Sequence, residues 1–125
     1  MAANWDCVGV VSKDMQRSVN FYRQLGINLP DPDSDHIEAT LPNGMRFMLD
    51  SLELIKSLGW WEEPVGQRMG IGIRLDSPDE VNTLYAELVS QGYKGKTEPF
   101  DAFWGQRYAQ IMDPDDNAVD LYCAL

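Results

Sequence analysis

Apolar and polar residues alternate most regularly near the end of the chain, where Gln106 to Met112 and Ala118 to Cys123 read as two strands. Between them, Asp113-Pro114-Asp115-Asp116-Asn117 is dense in turn-forming residues, so the stretch predicts a β-hairpin. A period of two divides each strand into faces. Arg107, Ala109 and Ile111 point one way; Gln106, Tyr108, Gln110 and Met112 point the other. Across the turn, Val119, Leu121 and Cys123 oppose Asp120 and Tyr122. The apolar face is expected to meet a helix, which leaves a mixed polar and aromatic face better suited to a ligand than to a core. If the first strand runs back through Gly105, Trp104 shares the face of Tyr108.

Earlier in the chain, Trp5 to Ser12 is a β-rich run, followed by a helix with Asp14 as N-cap and Val19, Tyr22 and Leu25 as its apolar stripe. Gly26 marks the helix stop. Residues 29–35 read as a loop. His36 to Leu41 and Met45 to Leu49 read as strands joined by the tight turn Pro42-Asn43-Gly44. Ser51 to Leu58 predicts a short helix, and residues 59–66 an exposed connection. A second round begins with a strand at Met69 to Leu75. Ser77-Pro78-Asp79-Glu80 then combines an N-cap serine, a proline at the first helical position and a glutamate three residues after the cap. Val81, Leu84, Tyr85, Leu88 and Val89 follow at helical spacing until Gln91-Gly92. A short strand is expected near Tyr93 to Thr97, then a loop carrying Trp104. Each half thus reads as strand, helix, then three strands, the fourth strand of the first half having the weakest signal. The fold class is α+β, a duplicated βαβββ domain: module one about 1–58, linker about 59–67, module two about 68–125.

The chain has 125 residues, enough for one domain with a real core. A net charge of −10 argues against nucleic-acid binding, which needs a basic footprint. The plain meaning of that acidity is solubility; a preference for cationic or neutral ligands is the second. Cys7 and Cys123 stand near opposite ends without metal-type spacing and are expected to be reduced, although a single bridge stays open. No leader-like segment or long apolar run is apparent, so a cytoplasmic protein without membrane contact is expected.

Two segments, Val10-Val-Ser-Lys-Asp-Met-Gln-Arg-Ser-Val-Asn-Phe-Tyr-Arg-Gln-Leu-Gly26 and Trp104-Gly-Gln-Arg-Tyr-Ala-Gln-Ile-Met-Asp-Pro-Asp-Asp-Asn-Ala-Val-Asp-Leu121, resemble the two signature ends of the glyoxalase/bleomycin-resistance/extradiol-dioxygenase (vicinal oxygen chelate) superfamily. His36-Ile-Glu-Ala-Thr-Leu41, Met45-Arg-Phe-Met-Leu-Asp50 and Tyr85 to Tyr93 resemble a narrower branch, the mitomycin-binding resistance proteins. The resemblance implies curved mixed sheets forming two clefts in a homodimer, often with arms exchanged between subunits. Enzymes of the superfamily hold a divalent metal with His, Glu or Gln from four equivalent strands. Here those positions carry Cys7, Gly70 beside Met69, Asp120, and Asp50 or Met48. One or two carboxylates without imidazole make a poor site for zinc, iron or nickel, so no metal and no other cofactor is expected. Glycines at 9, 70 and 72, with Cys7, either open volume for a planar molecule or relieve sheet curvature.

The remaining candidates are ligand-binding rather than catalytic. His36, the only histidine, cannot by itself form a metal triad or a Ser–His–Asp site. It is either a solvated strand-start residue or a flat ring stacked on a ligand. The branch resemblance implies stacking, since a histidine and a tryptophan at the positions matching His36 and Trp104 sandwich the drug there. Trp104 suits the role because a large aromatic supplies area at little entropic cost. Glu38, Arg46, Arg74 and Tyr108 fall on pocket-facing positions, and Arg74 has a second role open, pairing with Asp120. Of the adjacent Trp60 and Trp61, one is expected to face solvent, a partner subunit or the ligand, while a plug over the core is the alternative. Two functions stay in view: a non-catalytic homodimeric binder of a planar aromatic or quinone-type antibiotic or metabolite, and a metal-dependent lyase, isomerase or dioxygenase.

Overall fold

The computed structural model describes residues 2–125, which divide into two compact units, one reaching to Glu63 and one spanning Pro64–Leu125.

Unit one contains β1 (Cys7–Ser12), α1 (Met15–Arg23), β2 (His36–Thr40), β3 (Arg46–Ser51) and α2 (Leu52–Ser57). Asp14 caps α1 by accepting from the Arg17 amide at 3.1 Å. Val19 and Tyr22 of the expected stripe are fully buried and Leu25 nearly so, with Phe21 beside them. The sheet order is β1-β3-β2, with β1 parallel and β2 antiparallel to the central strand. Val10, Ile37, Ala39, Phe47 and Leu49 are buried with the α1 side chains; Tyr22 and Phe47 meet at 4.6 Å between ring centroids. Residues of the opposite parity remain on the open face.

Unit one therefore has two strands after its first helix rather than three. The stretch after Gly26 holds Pro30 and Pro32, two residues apart. Two prolines at that spacing remove consecutive donors from one edge of any ladder, and the segment stays irregular. The central strand also continues two residues beyond its expected end. Ser51 then caps α2 by accepting from Leu54 at 3.1 Å.

Unit two contains β4 (Ile71–Arg74), α3 (Pro78–Ser90), β5 (Gly95–Ala102), β6 (Gln106–Met112) and β7 (Ala118–Ala124), the full strand, helix, three-strand order. The sheet order is β4-β7-β6-β5. Ser77 accepts from the Glu80 amide, while the Glu80 carboxylate accepts from the Asp76 amide at 3.0 Å, one residue before the cap. Val81 and Leu88 of α3 are fully buried with Ala109, Ile111, Val119 and Leu121, which confirms the expected parity; Val89, assigned to the same stripe, is 42% exposed.

Strand β5 is longer than expected and includes Pro99, a residue that argues against strand structure. Its place at the sheet edge and the register shifts around Thr97 accommodate the missing donor. The β6–β7 turn is held by Asp113, a buried carboxylate that accepts from the amides of Asp115 and Asn117 and from the Asn117 side chain, at 2.8–2.9 Å. Removing an acceptor that satisfies three donors is costly. Asp113→Ala is expected to destabilise the protein by about 2–3 kcal/mol in urea denaturation, with little change in slope.

Candidate functional sites on the open sheet faces

Each sheet buries one face against its own helices, so side chains of the other parity form the candidate sites. In unit one, strand pairing aligns Cys7, Arg46 and Thr40, then Gly9, Met48 and Glu38, then Val11, Asp50 and His36. An ionic chain runs across this face. Arg46 donates to Asp6 at 2.6 Å and to Glu38 at 2.9 Å. The same Glu38 oxygen lies 3.0 Å from His36 Nε2, and His36 Nδ1 lies 2.5 Å from Asp50. His36, Glu38 and Arg46 are thus brought together, with Asp6 and Asp50 as further members.

A carboxylate at each ring nitrogen favours the imidazolium, which alone can donate from both. His36 is raised above its ordinary value of 6.5, chiefly by Asp50 and then by Glu38. Glu38 is held below the usual carboxylate range by His36 first and Arg46 second. Asp6, more than Glu38, keeps Arg46 firmly protonated. All of these groups are partly exposed, so solvent screens the energies and the chain mainly fixes orientation.

The open face of unit two is aromatic. Trp104 lies in the turn between β5 and β6, where Gly105 takes φ +90° and allows the reversal. Its ring meets Phe103 at 5.0 Å, Tyr108 at 5.4 Å and Phe100 at 6.2 Å, all edge to face. Tyr108 stacks on Tyr122 at 5.9 Å with 22° between planes. The strand does not run back through Gly105, and Trp104 reaches the ring of Tyr108 from the turn instead. Its indole donates to Gln106 at 2.8 Å.

Polar groups on the same face converge on Asp120. Tyr108 donates its hydroxyl to one oxygen, Gln110 donates to the other at 2.9 Å, and Thr97 donates to Gln110 at 2.8 Å. Burial, and then the bond to Asp120, push the Tyr108 phenol up to about 12, so it keeps its proton at neutral pH. Arg74 stands in register with Tyr122 rather than Asp120, and Asp120 is engaged by Tyr108 and Gln110 instead.

Gly72, not Gly70, is the register partner of Asp120, and Gly70 precedes β4. Among the described residues, no group of three or more His, Cys, Asp or Glu side chains is placed to hold a metal ion. Both cysteines are free thiols, Cys7 half-buried and Cys123 buried. The glycines admit neighbouring side chains: a Cβ at Gly9 would stand 3.4 Å from the Met48 methyl, and one at Gly72 3.3 Å from the Tyr122 ring. Trp60 is 71% exposed, whereas Trp61 is half-buried and donates to Glu63 at 3.2 Å. Neither enters the two clusters.

Phe100 was not among the residues the sequence suggested for a site, and Tyr122 and Gln110 were placed on the ligand-suited face without being named as contacts. The parity of Tyr122 with Asp120 is a usable signal; Phe100 required the extension of β5 past Pro99. A concavity of about 310 Å³ lined by Arg23, Gly26, Ile27 and Asn28 contains none of the candidate residues.

With this geometry in place, comparison with known proteins is informative. A model of the Glyoxalase/Bleomycin resistance protein/Dioxygenase superfamily matches residues 5–121. The chain belongs to this superfamily. Among solved structures, a glyoxalase/bleomycin resistance protein/dioxygenase from Nocardioides is 25% identical, with 100% of this chain and 85% of that one covered and a TM-score of 0.74. A glyoxalase/bleomycin resistance protein/dioxygenase family enzyme from Burkholderia phytofirmans reaches a TM-score of 0.84 at 16% identity, covering 98% of this chain and 100% of that one. A glyoxalase-related enzyme from Fulvimarina pelagi gives 0.83 at 17% identity, covering 98% and 88%. No curated protein matches significantly. Members of the superfamily include both enzymes and binding proteins and often dimerise. Among the described residues, no helix is long and apolar enough to cross a membrane.

The ionic chain makes a pH-dependent prediction. The imidazole holds its proton more tightly folded than unfolded, so its stabilisation is complete below about pH 6.5 and is lost as pH rises through the folded-state value. The His36 ring is expected to titrate above 6.5 by NMR. Asp50→Asn is expected to lower that midpoint more than Glu38→Gln does, and equal effects would contradict the order of contacts.

Proposed function

We propose that this superfamily member is a non-catalytic binding protein that sequesters a planar aromatic or quinone-type antibiotic or metabolite. The observation that carries the reading is the cluster of Phe100, Trp104, Tyr108 and Tyr122 on an open sheet face, with Trp104 49% exposed. A soluble domain seldom presents contiguous rings to water without a partner for them. Sandwiching the ligand between Tyr108 and Tyr122 requires a spacing of roughly 7 Å, twice the carbon–carbon contact distance. Their 5.9 Å separation is too small, so the ligand lies against Trp104 and the outer surface of the cluster.

The resemblance to mitomycin-binding resistance proteins supports the same reading for Trp104, and for His36 it implies a ligand-contacting ring on the open face of unit one. On this proposal His36 presents a flat imidazolium fixed edgewise by Asp50 and Glu38, while Arg46 holds Glu38 in place. Trp60 and Trp61 are peripheral contributors at most. A homodimer is the working unit, and a cytoplasmic location fits a sequestering role.

The test is a tryptophan-fluorescence titration of metal-stripped protein with mitomycin C and related planar antibiotics. Saturable quenching near two ligands per dimer is expected. Trp104→Ala is expected to weaken affinity by roughly tenfold or more, as for a central aromatic anchor. Binding that appears only after a divalent ion is added would instead place the protein among the metal-dependent lyases, isomerases or dioxygenases.

A further inference from the structure

We infer that the open face of unit two selects a cation: a planar aromatic ligand carrying a protonated amine, with Asp120 as its counter-ion and the rings of Trp104, Tyr108, Tyr122 and Phe100 as its walls. This rests on the binding role proposed above and names the ligand class for that same face.

Three observations carry it. First, among the described residues Asp120 is bound by two neutral donors, the Tyr108 hydroxyl and the Gln110 amide. Those bonds orient the carboxylate without cancelling its charge. Two bonds also leave part of its acceptor capacity free, since a carboxylate offers about four lone-pair directions. Second, Gly72 is its neighbour on β4 and carries no side chain of its own, and the Tyr122 ring lies over that glycine, 3.3 Å from where a Cβ would stand, so an apolar wall borders the carboxylate on that side. Third, the surrounding rings present negative π-faces, which attract cations and repel anions. Carboxylate and rings therefore favour the same sign of ligand, and the net charge of −10 reinforces it at long range.

The donor inventory agrees. The Trp104 indole donates to Gln106, and the Tyr108 hydroxyl to Asp120. The hydroxyl's remaining capacity is as an acceptor. A ligand whose polar atoms are N–H donors meets oxygens here, whereas a bare quinone carbonyl meets donors already engaged. Arg74, exposed and in register with Tyr122, is the cation on this face. Its guanidinium opposes a cationic ligand and sets how strongly the face discriminates.

The experiment is calorimetric titration of the intact, metal-stripped protein at pH 7.5 with three planar probes of matched shape: 9-aminoacridine as cation, acridine as neutral ring and acridine-9-carboxylate as anion. The cation is expected to bind roughly tenfold tighter than acridine, and the anion weakest. Asp120→Asn should remove the cation's advantage and Asp120→Glu should retain it. Arg74→Gln, at an exposed position, should widen the advantage a few-fold, which keeps the proposal testable if Asp120→Asn does not fold. Equal affinity for cation and acridine, or preference for the anion, would overturn the charge selectivity and leave the planar-ligand reading standing. Failure of all three probes to bind would count against both.

Discussion

Strand parity is the constraint on which both candidate sites depend. Once Ala109, Ile111, Val119 and Leu121 are sealed against α3, the pleat leaves Tyr108, Gln110, Asp120 and Tyr122 no other face. Unit one obeys the same rule: Phe47 and Leu49 face the α1 core, so Arg46, Met48 and Asp50 project outward. The hydrophobic core thereby positions the polar chemistry, although none of the outward residues contributes much to that core. A one-residue slip in pairing would exchange every member of both faces at once.

Within that shared rule the two faces are chemically different. Unit one joins opposite charges in sequence, Asp6 to Arg46 to Glu38 to His36 to Asp50, so its charges are largely satisfied internally. Unit two gathers neutral donors around a single carboxylate and surrounds it with rings. The first arrangement orients side chains and is screened by water. The second offers unfilled apolar area and unspent charge. The second face is therefore the better equipped for recognition.

Much of the fold was legible because its signals are local. Asp14 and Ser77 act as helix caps where the sequence placed them, and the Asp113–Asn117 turn closes the hairpin that alternation implied. The departures lie where tertiary context overrides local chemistry. Pro99 is tolerated because β5 is an edge strand, whereas Pro30 and Pro32 fall where unit one forms no strand. For the sites, parity placed Tyr108 and Gln110 on one face. It could not show that Glu38 bridges His36 and Arg46, because that depends on cross-strand register. That Gly72 and Asp120 are neighbours likewise follows from parallel pairing and not from their spacing in the sequence.

The irregular segment after α1 leaves β2 as a sheet edge. A naked edge is a template for uncontrolled strand addition. Here every second residue of that strand on the open side is polar, and two of them, His36 and Glu38, are locked into the ionic chain. A stray strand docking along β2 would crowd these charges and dehydrate them without supplying partners. The contacts that orient His36 thus also engage the polar side chains along the edge strand of this sheet.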